Sequence, residues 1–144
     1  MVRVRIVAVG GLKEKFWQDG VAEYVKRLGK YCKLEIIQIK ESNPKKECED
    51  IHEKLKGYVF LCDINGNMVR SDEIAEKIAK NTQNSNTLTF VIGGSDGVGT
   101  YLDDVVHEKI SFGRITLPHQ LFRVVLIEQI YRAFTILGGE KYHK

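Results

Sequence analysis

The feature that most constrains the fold is a repeated change in apolar spacing, from the two-residue period of strands to the longer period of helices. Residues 2–9 (VRVRIVAV) alternate and then become apolar, which predicts a strand that is half exposed at its start and buried at its end. From Trp17 to Leu28 the apolar residues recur at helical spacing, and Gly29 then ends the predicted helix. Such alternation is typical of an α/β fold with a mainly parallel sheet and flanking helices.

Further apolar runs continue this pattern along a chain of 144 residues, a length that fits one domain spanning 1–144. Pro118 pre-sets the start of the longest predicted helix, 120–137, which Gly138 and Gly139 end. The other predicted strands lie at 34–39, 58–63 and 87–92, and a fifth lies near Gly113-Arg114, which the apolar runs 110–112 and 115–117 flank. The remaining predictions are a turn at 64–67, a short helical stretch after Pro44, a helix with Ser71 as its N-cap, and a weak helix around 102–108.

Composition excludes several other classes of protein. Hydrophobic residues are 43% of the chain and charged residues 28%, close to the averages of globular domains. No apolar run approaches the 18 residues that a membrane span needs, and the N-terminus resembles a strand rather than a signal peptide, so we expect a cytoplasmic protein without membrane contact. The three cysteines form no CxxC pair, which indicates a reduced compartment and neither a zinc site nor a redox motif.

The charges are unevenly distributed. The net charge is only +3, but both ends of the chain are basic and the middle is acidic. This distribution fits a basic face that meets a polyanion, and it fits equally a solvated surface of mixed sign.

Candidate ligand contacts lie where predicted strands end, because ligands of open α/β sheets bind beyond the carboxyl ends of the strands. Three segments meet this condition: Cys62–Asn67, the glycine-rich Gly93–Gly99 (GGSDGVG) and Phe112–Leu117. The glycine segment lacks the GK[ST] of a P-loop and the spacing of GxGxxG. Close approach of backbone to a ligand and a tight structural turn both explain it.

The last predicted helix is nearly all apolar except for a polar set. Glu128, Arg132 and Thr135 project within about 60° of one another at 100° per residue. Two interpretations remain open: a surface ion pair of small energetic value, or a pair retained for a site or an interface. His119 begins this helix and His143 lies in the final residues, where a capping or surface role is the ordinary alternative to a chemical one.

Three segments together resemble a known family. They are residues 1–31 (MVRVRIVAVGGLKEKFWQDGVAEYVKRLGKY), 90–97 (FVIGGSDG) and 111–144 (SFGRITLPHQLFRVVLIEQIYRAFTILGGEKYHK). On these residues the chain is similar to the RlmH type of SPOUT methyltransferases, and the resemblance covers nearly the whole sequence. The chief departure is at 41–56, where the chain is some ten residues shorter than many relatives.

The resemblance implies a C-terminal trefoil knot within the α/β fold, and a homodimer whose cofactor pockets lie near the subunit interface. It also implies methyl transfer from S-adenosylmethionine to N3 of a pseudouridine in the intersubunit stem-loop of 23S rRNA, on assembled ribosomes, with no metal. Two other classes stay open beside it: a nucleotide-binding α/β enzyme, and a non-enzymatic protein that binds the ribosome.

Site residues follow from the same resemblance. His143 is the first choice for the group that accepts a proton or orients the base, while Arg132 and Lys144 would contact phosphate. The residues carried over toward the RNA are His119, Glu128, Arg132, Tyr142 and His143. Those carried over to the cofactor pocket are Cys62, Gly93, Phe112, Gly113, Arg114, Ile115, Thr116 and Leu117.

Overall fold

A computed structural model describes residues 1–144 and shows strands and helices in alternation along most of the chain. The elements are β1 (Arg3–Val9), α1 (Lys15–Leu28), β2 (Lys33–Ile39), α2 (Pro44–Lys54), β3 (Tyr58–Met68), α3 (Ser71–Thr82), β4 (Thr87–Ile92), β5 (Glu108–Ser111) and α4 (His119–Leu137).

The five strands form one sheet in the order β2-β1-β4-β3-β5, and every neighbouring pair is parallel. The predicted α/β fold with a parallel sheet is therefore confirmed. Strand β4 lies at the centre and is buried at every position, including its two threonines, Thr87 and Thr89. All strands end at the same edge, so the segments that follow β1, β3, β4 and β5 meet there.

Helices cover both faces of the sheet. Along β1, Val4, Ile6 and Ala8 pack in one core with α1, α3 and α4, whereas Val7 and Val9 point to a second core with α2. Such alternation follows from the two-residue period of a strand. The sheet is thus enclosed between three helices on one face and α2 with the loop around 98–102 on the other.

Helix α4 packs between α1 and α3 and lies against the sheet. None of its residues from His119 to Ile136 is exposed. Many of its apolar side chains, Phe122, Val124 and Tyr131 among them, are only half-buried, and the homodimer that the resemblance implies stays a prediction. No helix of the protein combines the length and the apolar character that crossing a membrane demands. The knot that the resemblance implies stays a prediction.

The turn predicted at 64–67 is wrong, because β3 continues to Met68. Cys62 and Asn67 both pair with Ile110 of β5, so the residues between them form a bulge in the strand. A Cβ added at Gly66 would lie 2.8 Å from the backbone carbon of Lys109. Glycine is needed here for the close approach of two backbones and not for a reversal of the chain.

The weak helix predicted around 102–108 is also wrong. Leu102, Val105 and Val106 have helical spacing, but the N–H groups of both valines bond to the Leu102 carbonyl in a single turn. The chain then enters the sheet, where the His107 N–H donates to the Val59 carbonyl at 2.9 Å. Pairing with β3 outweighs a helical pattern that is only one turn long.

The sequence predicts Ser71 as the N-cap of α3, and this prediction is wrong. Arg70 occupies that position, and the side chain of Glu73 accepts its backbone N–H at 2.9 Å. The Ser71 hydroxyl instead lies 2.6 Å from the side-chain oxygen of Gln129 on α4, a bond between the two packed helices.

Candidate functional site

A cavity of about 600 Å³ opens at the carboxyl edge of the sheet, and we call it the strand-end cavity. The ends of β3, β4 and β5 form its floor, and the first turns of α4 close one side. All three segments that the sequence places at strand ends contribute to its wall. Of the residues carried over to a cofactor pocket, those in the wall are Cys62, Gly93, Phe112, Gly113, Ile115, Thr116 and Leu117.

Arg114 is not among the lining residues. Its guanidinium donates hydrogen bonds to the carbonyls of Ile64 and Gly66 in the bulge of β3. It therefore ties the loop 112–117 to the neighbouring strand, while Ile115 beside it is 75% exposed. Gly113 gives this loop its bend with a φ of 132°, a conformation that residues with a Cβ rarely adopt.

Gly93 stands directly after β4, where no room for a side chain exists. A Cβ at this position would lie 2.8 Å from Cγ1 of Val98, which is itself buried. The carbonyl of Val98 accepts a hydrogen bond from the Cys48 thiol of α2. The glycine loop is therefore attached to the core on the α2 face of the sheet. The tight turn is thus present and forms part of the cavity wall, while the approach of its backbone to a ligand stays a prediction.

The thiol of Cys62 lies in the same wall. Burial raises its pKa to about 12, so the group stays protonated at neutral pH. A neutral thiol behaves as a small apolar side chain, and Cys62 therefore offers the cavity an apolar contact and no nucleophile.

A second group of predicted residues lies farther along α4, and we call Glu128, Arg132, Tyr142 and His143 the tail cluster. Arg132 and Glu128 form an ion pair of 2.8 Å, and the Tyr142 hydroxyl donates to the same carboxylate at 2.8 Å. Burial and hydrogen bonds with Tyr24 and Glu128 raise the pKa of Tyr142 well above its usual value. The hydroxyl of Tyr142 therefore keeps its proton at neutral pH and donates a hydrogen bond to Glu128.

His143 joins the cluster through Arg132, whose Nη1 lies 3.2 Å from the imidazole Nδ1. A guanidinium always carries its protons and accepts no hydrogen bond. Nδ1 must therefore be the acceptor, which leaves the proton of the neutral ring on Nε2. In this arrangement the exposed side of His143 presents a hydrogen-bond donor.

The structure separates the predicted RNA-side residues into two places. His119 lines the strand-end cavity at the first turn of α4, whereas Glu128 lies nine residues later. This spacing corresponds to about 14 Å along the helix axis, and Arg132 is another turn away. Within one chain, His119 therefore lies in the strand-end cavity, whereas the tail cluster lies outside it, farther along α4.

A second cavity, of about 470 Å³, adjoins the first and was not foreseen from the sequence. Arg123 of α4 and Glu47 of α2 are in its wall, and both are buried. The available signal was Arg123 itself, a cation within an otherwise apolar stretch of the last helix. No group of three or more His, Cys, Asp or Glu side chains is placed to hold a metal ion.

Comparison with known proteins gives a consistent result. The family model described as "Predicted SPOUT methyltransferase" matches residues 2–143. A protein of Limosilactobacillus reuteri (strain DSM 20016) named "Ribosomal RNA large subunit methyltransferase H" is 46% identical over 159 residues, covering 99% of this chain and 100% of the relative. A protein of the same name from Caldicellulosiruptor saccharolyticus is 40% identical over 153 residues, covering 98% and 99%.

Among solved structures, the chain is similar to "a probable methylase family protein from Haemophilus influenzae Rd KW20". The TM-score is 0.59 at 14% identity, covering 98% of this chain and 70% of that one. This likeness concerns the fold. The sequence alignments run over more positions than the 144 residues of this chain, which agrees with the shorter segment noted around 41–56.

Proposed function

Since this chain belongs to the SPOUT methyltransferase family, we propose that it methylates large-subunit ribosomal RNA. The proposed reaction moves the methyl group of S-adenosylmethionine to N3 of a pseudouridine in the intersubunit stem-loop of 23S rRNA. The names of the relatives support an rRNA substrate. The observation that carries the proposal is the strand-end cavity, which lies where open α/β sheets bind their ligands.

The residues of this cavity fit S-adenosylmethionine. Its volume of about 600 Å³ falls within the range of small-molecule sites, and half of its lining residues are hydrophobic. Side chains such as Ile92, Leu117 and Phe122 suit the faces of a purine ring. The backbone of the loop 112–117 offers the polar groups that would hold its edge.

When bound, the cofactor supplies a methyl group on a sulfonium, which is already a good leaving group. N3 loses its proton, its lone pair forms the new N–C bond as the C–S bond breaks, and S-adenosylhomocysteine remains. The protein has to hold N3 in line with the methyl group, and such alignment can lower the barrier by roughly 7–11 kcal/mol. It also has to favour loss of the N3 proton.

The tail cluster suits this second task. We assign His143 the role of orienting the base, because its Nε2–H can donate to the ring carbonyl beside N3. The cation of Arg132 lies next to it and stabilises the negative charge that spreads onto that carbonyl when the N3 proton leaves to water. Tyr142 and Glu128 hold Arg132 in place, while Lys144 is free to contact phosphate.

A complete site needs the cavity and the tail cluster side by side, and one chain holds them apart along α4. We therefore propose a homodimer in which the tail cluster of one copy completes the cavity of the other. Its substrate would be the assembled ribosome in the cytoplasm, where the stem-loop is fixed in one conformation.

The test uses ribosomes, separated subunits and free rRNA from cells that lack this methylation. Each is incubated with the protein and isotopically labelled S-adenosylmethionine, and the rRNA is digested and analysed by mass spectrometry. We expect one labelled N3-methylpseudouridine, formed fastest on assembled ribosomes. Labelling of a different nucleotide, or of none, would contradict the proposal.

A further inference from the structure

The second cavity lies beyond the carboxyl end of β1, beside the strand-end cavity. The two share Gly94, Ser95 and His119, so a molecule in one is adjacent to a molecule in the other. Their walls differ in character. Only two of the 16 residues around the second cavity are hydrophobic, against half of those around the first.

Arg123 contributes unused hydrogen-bond donors to this wall. The residue is 2% exposed, and its Nη2 donates to the Gly10 carbonyl at 2.8 Å. Its Nε and Nη1 are enclosed and have no partner. An unpaired donor on a buried cation is costly, so these two N–H groups need an acceptor that no other residue of the chain supplies.

Glu47 contributes an unused acceptor. It is 6% exposed, and its Oε2 accepts the backbone N–H of Ser42 at 2.9 Å. Its Oε1 accepts no hydrogen bond and would lie 2.6 Å from a Cβ placed on Gly94. Because Gly94 has no side chain, this oxygen lies directly against the segment that both cavities share.

We propose that the second cavity receives the uracil ring of the target nucleotide, with Arg123 donating to the carbonyl at C2 and Glu47 accepting the N1–H. This inference rests on the proposed function, and it names the residues that select the substrate. In pseudouridine the C2 carbonyl lies between N3 and N1. A ring whose N3 faces the strand-end cavity therefore places its C2 carbonyl and its N1–H in the second cavity.

The charges around the cavity favour a neutral ring over an anionic group. The ionisable residues around the cavity, His119 aside, comprise four carboxylates and two cations, a balance that repels phosphate. Trp17 is among the lining residues, and an indole can stack on an unpaired base. The four acidic residues are Glu14, Glu41, Glu47 and Asp96, and the cations are Lys13 and Arg123.

Glu47 would distinguish pseudouridine from uridine. The sugar of pseudouridine is attached at C5, which leaves N1 with a hydrogen, whereas N1 of uridine carries the ribose and has none. With the ribose in the same place, uridine presents its C5–H where pseudouridine presents N1–H. A carboxylate there is satisfied by pseudouridine and left unpaired by uridine. A site built around a hydrogen bond discriminates strongly against an analogue that lacks it.

The test compares single-turnover methylation of two ribosome preparations, one with pseudouridine at the target and one with uridine there. Glu47→Gln keeps an acceptor for Ser42 but removes the charge, and we expect its preference for pseudouridine to fall about 10-fold or more. Arg123→Lys should slow both substrates by the same factor, because uridine, oriented by its ribose, presents its C4 carbonyl where pseudouridine presents the C2 carbonyl. Glu49→Gln, an exposed residue of the same helix outside the cavity, is the matched control.

Calorimetry with S-adenosylmethionine accompanies the rates. Unchanged cofactor affinity in both cavity variants is expected, and a marked loss would overturn the proposal by placing the amino-acid end of the cofactor in this cavity. Equal slowing of both substrates by Glu47→Gln would also overturn the proposal. If Glu47→Gln does not fold, the rates of Arg123→Lys decide instead, and unequal slowing of the two substrates by that variant would overturn the proposal. Failure of the unaltered protein to methylate any ribosome would instead remove the proposed function.

Discussion

The hydroxyl of Tyr142 donates a 2.8 Å hydrogen bond to the carboxylate of Glu128, fourteen residues earlier in the chain. This bond holds the last residues against α4, together with an edge-to-face contact of 4.7 Å between the rings of Tyr142 and Tyr131. The C-terminal residues therefore do not behave as the frayed end that their position in the sequence suggests.

A chain that ends at Lys141 tests the role of these residues. We expect it to keep its fold, its dimer and its cofactor affinity, because Tyr142 and His143 contribute little to either core. Methyl transfer to ribosomes should fall by at least about 10²-fold, the effect of losing an orienting or acid–base group. Single-turnover rates, a melting curve and calorimetry measure the three properties.

Tyr142→Phe is the matched control for the truncation, since it removes only the bond to Glu128 and keeps the ring. A loss of about 1 kcal/mol in unfolding free energy is expected for it, with a smaller loss of rate than in the truncated chain. Near-normal turnover by the truncated protein would show that Tyr142 and His143 are not part of the site.

Gly93→Val tests the wall of the strand-end cavity. The added side chain needs the space of Val98, so it should displace the glycine loop into the cavity and abolish measurable binding of S-adenosylmethionine. Gly20→Ala, where an added Cβ meets only ordinary contacts with Val124 at 3.5 Å, is the control and should bind normally. Unchanged affinity in a folded Gly93→Val protein would contradict the assignment of this cavity.

The sequence predicts the main features of this fold because its signals are local. Apolar runs such as 58–62 (YVFLC) mark buried strands, and the segments after them mark the edge where the cavity forms. Errors occurred where distant pairing outweighed a local pattern. Asn65 and Gly66 have turn chemistry but lie in a strand, because β5, more than forty residues later, pairs on both sides of them.

The candidate site was predictable only in part for the same reason. The strand-end rule places Cys62 and Gly93 together, since all parallel strands end at one edge. No local rule brings Tyr142 back onto Glu128, or sets Arg123 of the last helix and Glu47 of α2 in the wall of one cavity. Those relationships depend on how α4 packs over the finished sheet.

The buried thiol of Cys32 and the half-buried thiol of Cys62 should make stability fall at alkaline pH. Burial raises the pKa of Cys62 to about 12 and that of Cys32 to about 11, whereas an unfolded cysteine titrates near about 8.5. Above pH 9 the unfolded chain therefore loses protons that the folded chain keeps, which favours unfolding. Each thiol adds a decline of up to about 1.4 kcal/mol per pH unit between pH 9 and 11.

Urea unfolding at pH 8 and pH 10 measures this decline, and Cys62→Ala isolates one thiol. The variant should be less stable at pH 8, because it loses buried volume, yet its stability should fall less steeply toward pH 10. Equal slopes for the variant and the unaltered protein would mean that the Cys62 thiol ionises as freely in the folded state as in the unfolded one.

Heterodimers of two inactive chains provide the sharpest test of a shared site. One copy carries Gly93→Val and keeps its tail cluster, while the other ends at Lys141 and keeps its cavity. If each cavity uses the partner's tail, this heterodimer has one intact site and should recover about half of the normal rate. The inverse heterodimer, in which both changes lie in one copy, should then be inactive, since the intact cavity faces a missing tail.

Two differently tagged copies, purified as the mixed dimer, make the measurement direct. Activity in the inverse pair alone would place the cavity and tail of one site in the same chain, and sedimentation as a 16.4 kDa monomer would exclude a shared site altogether.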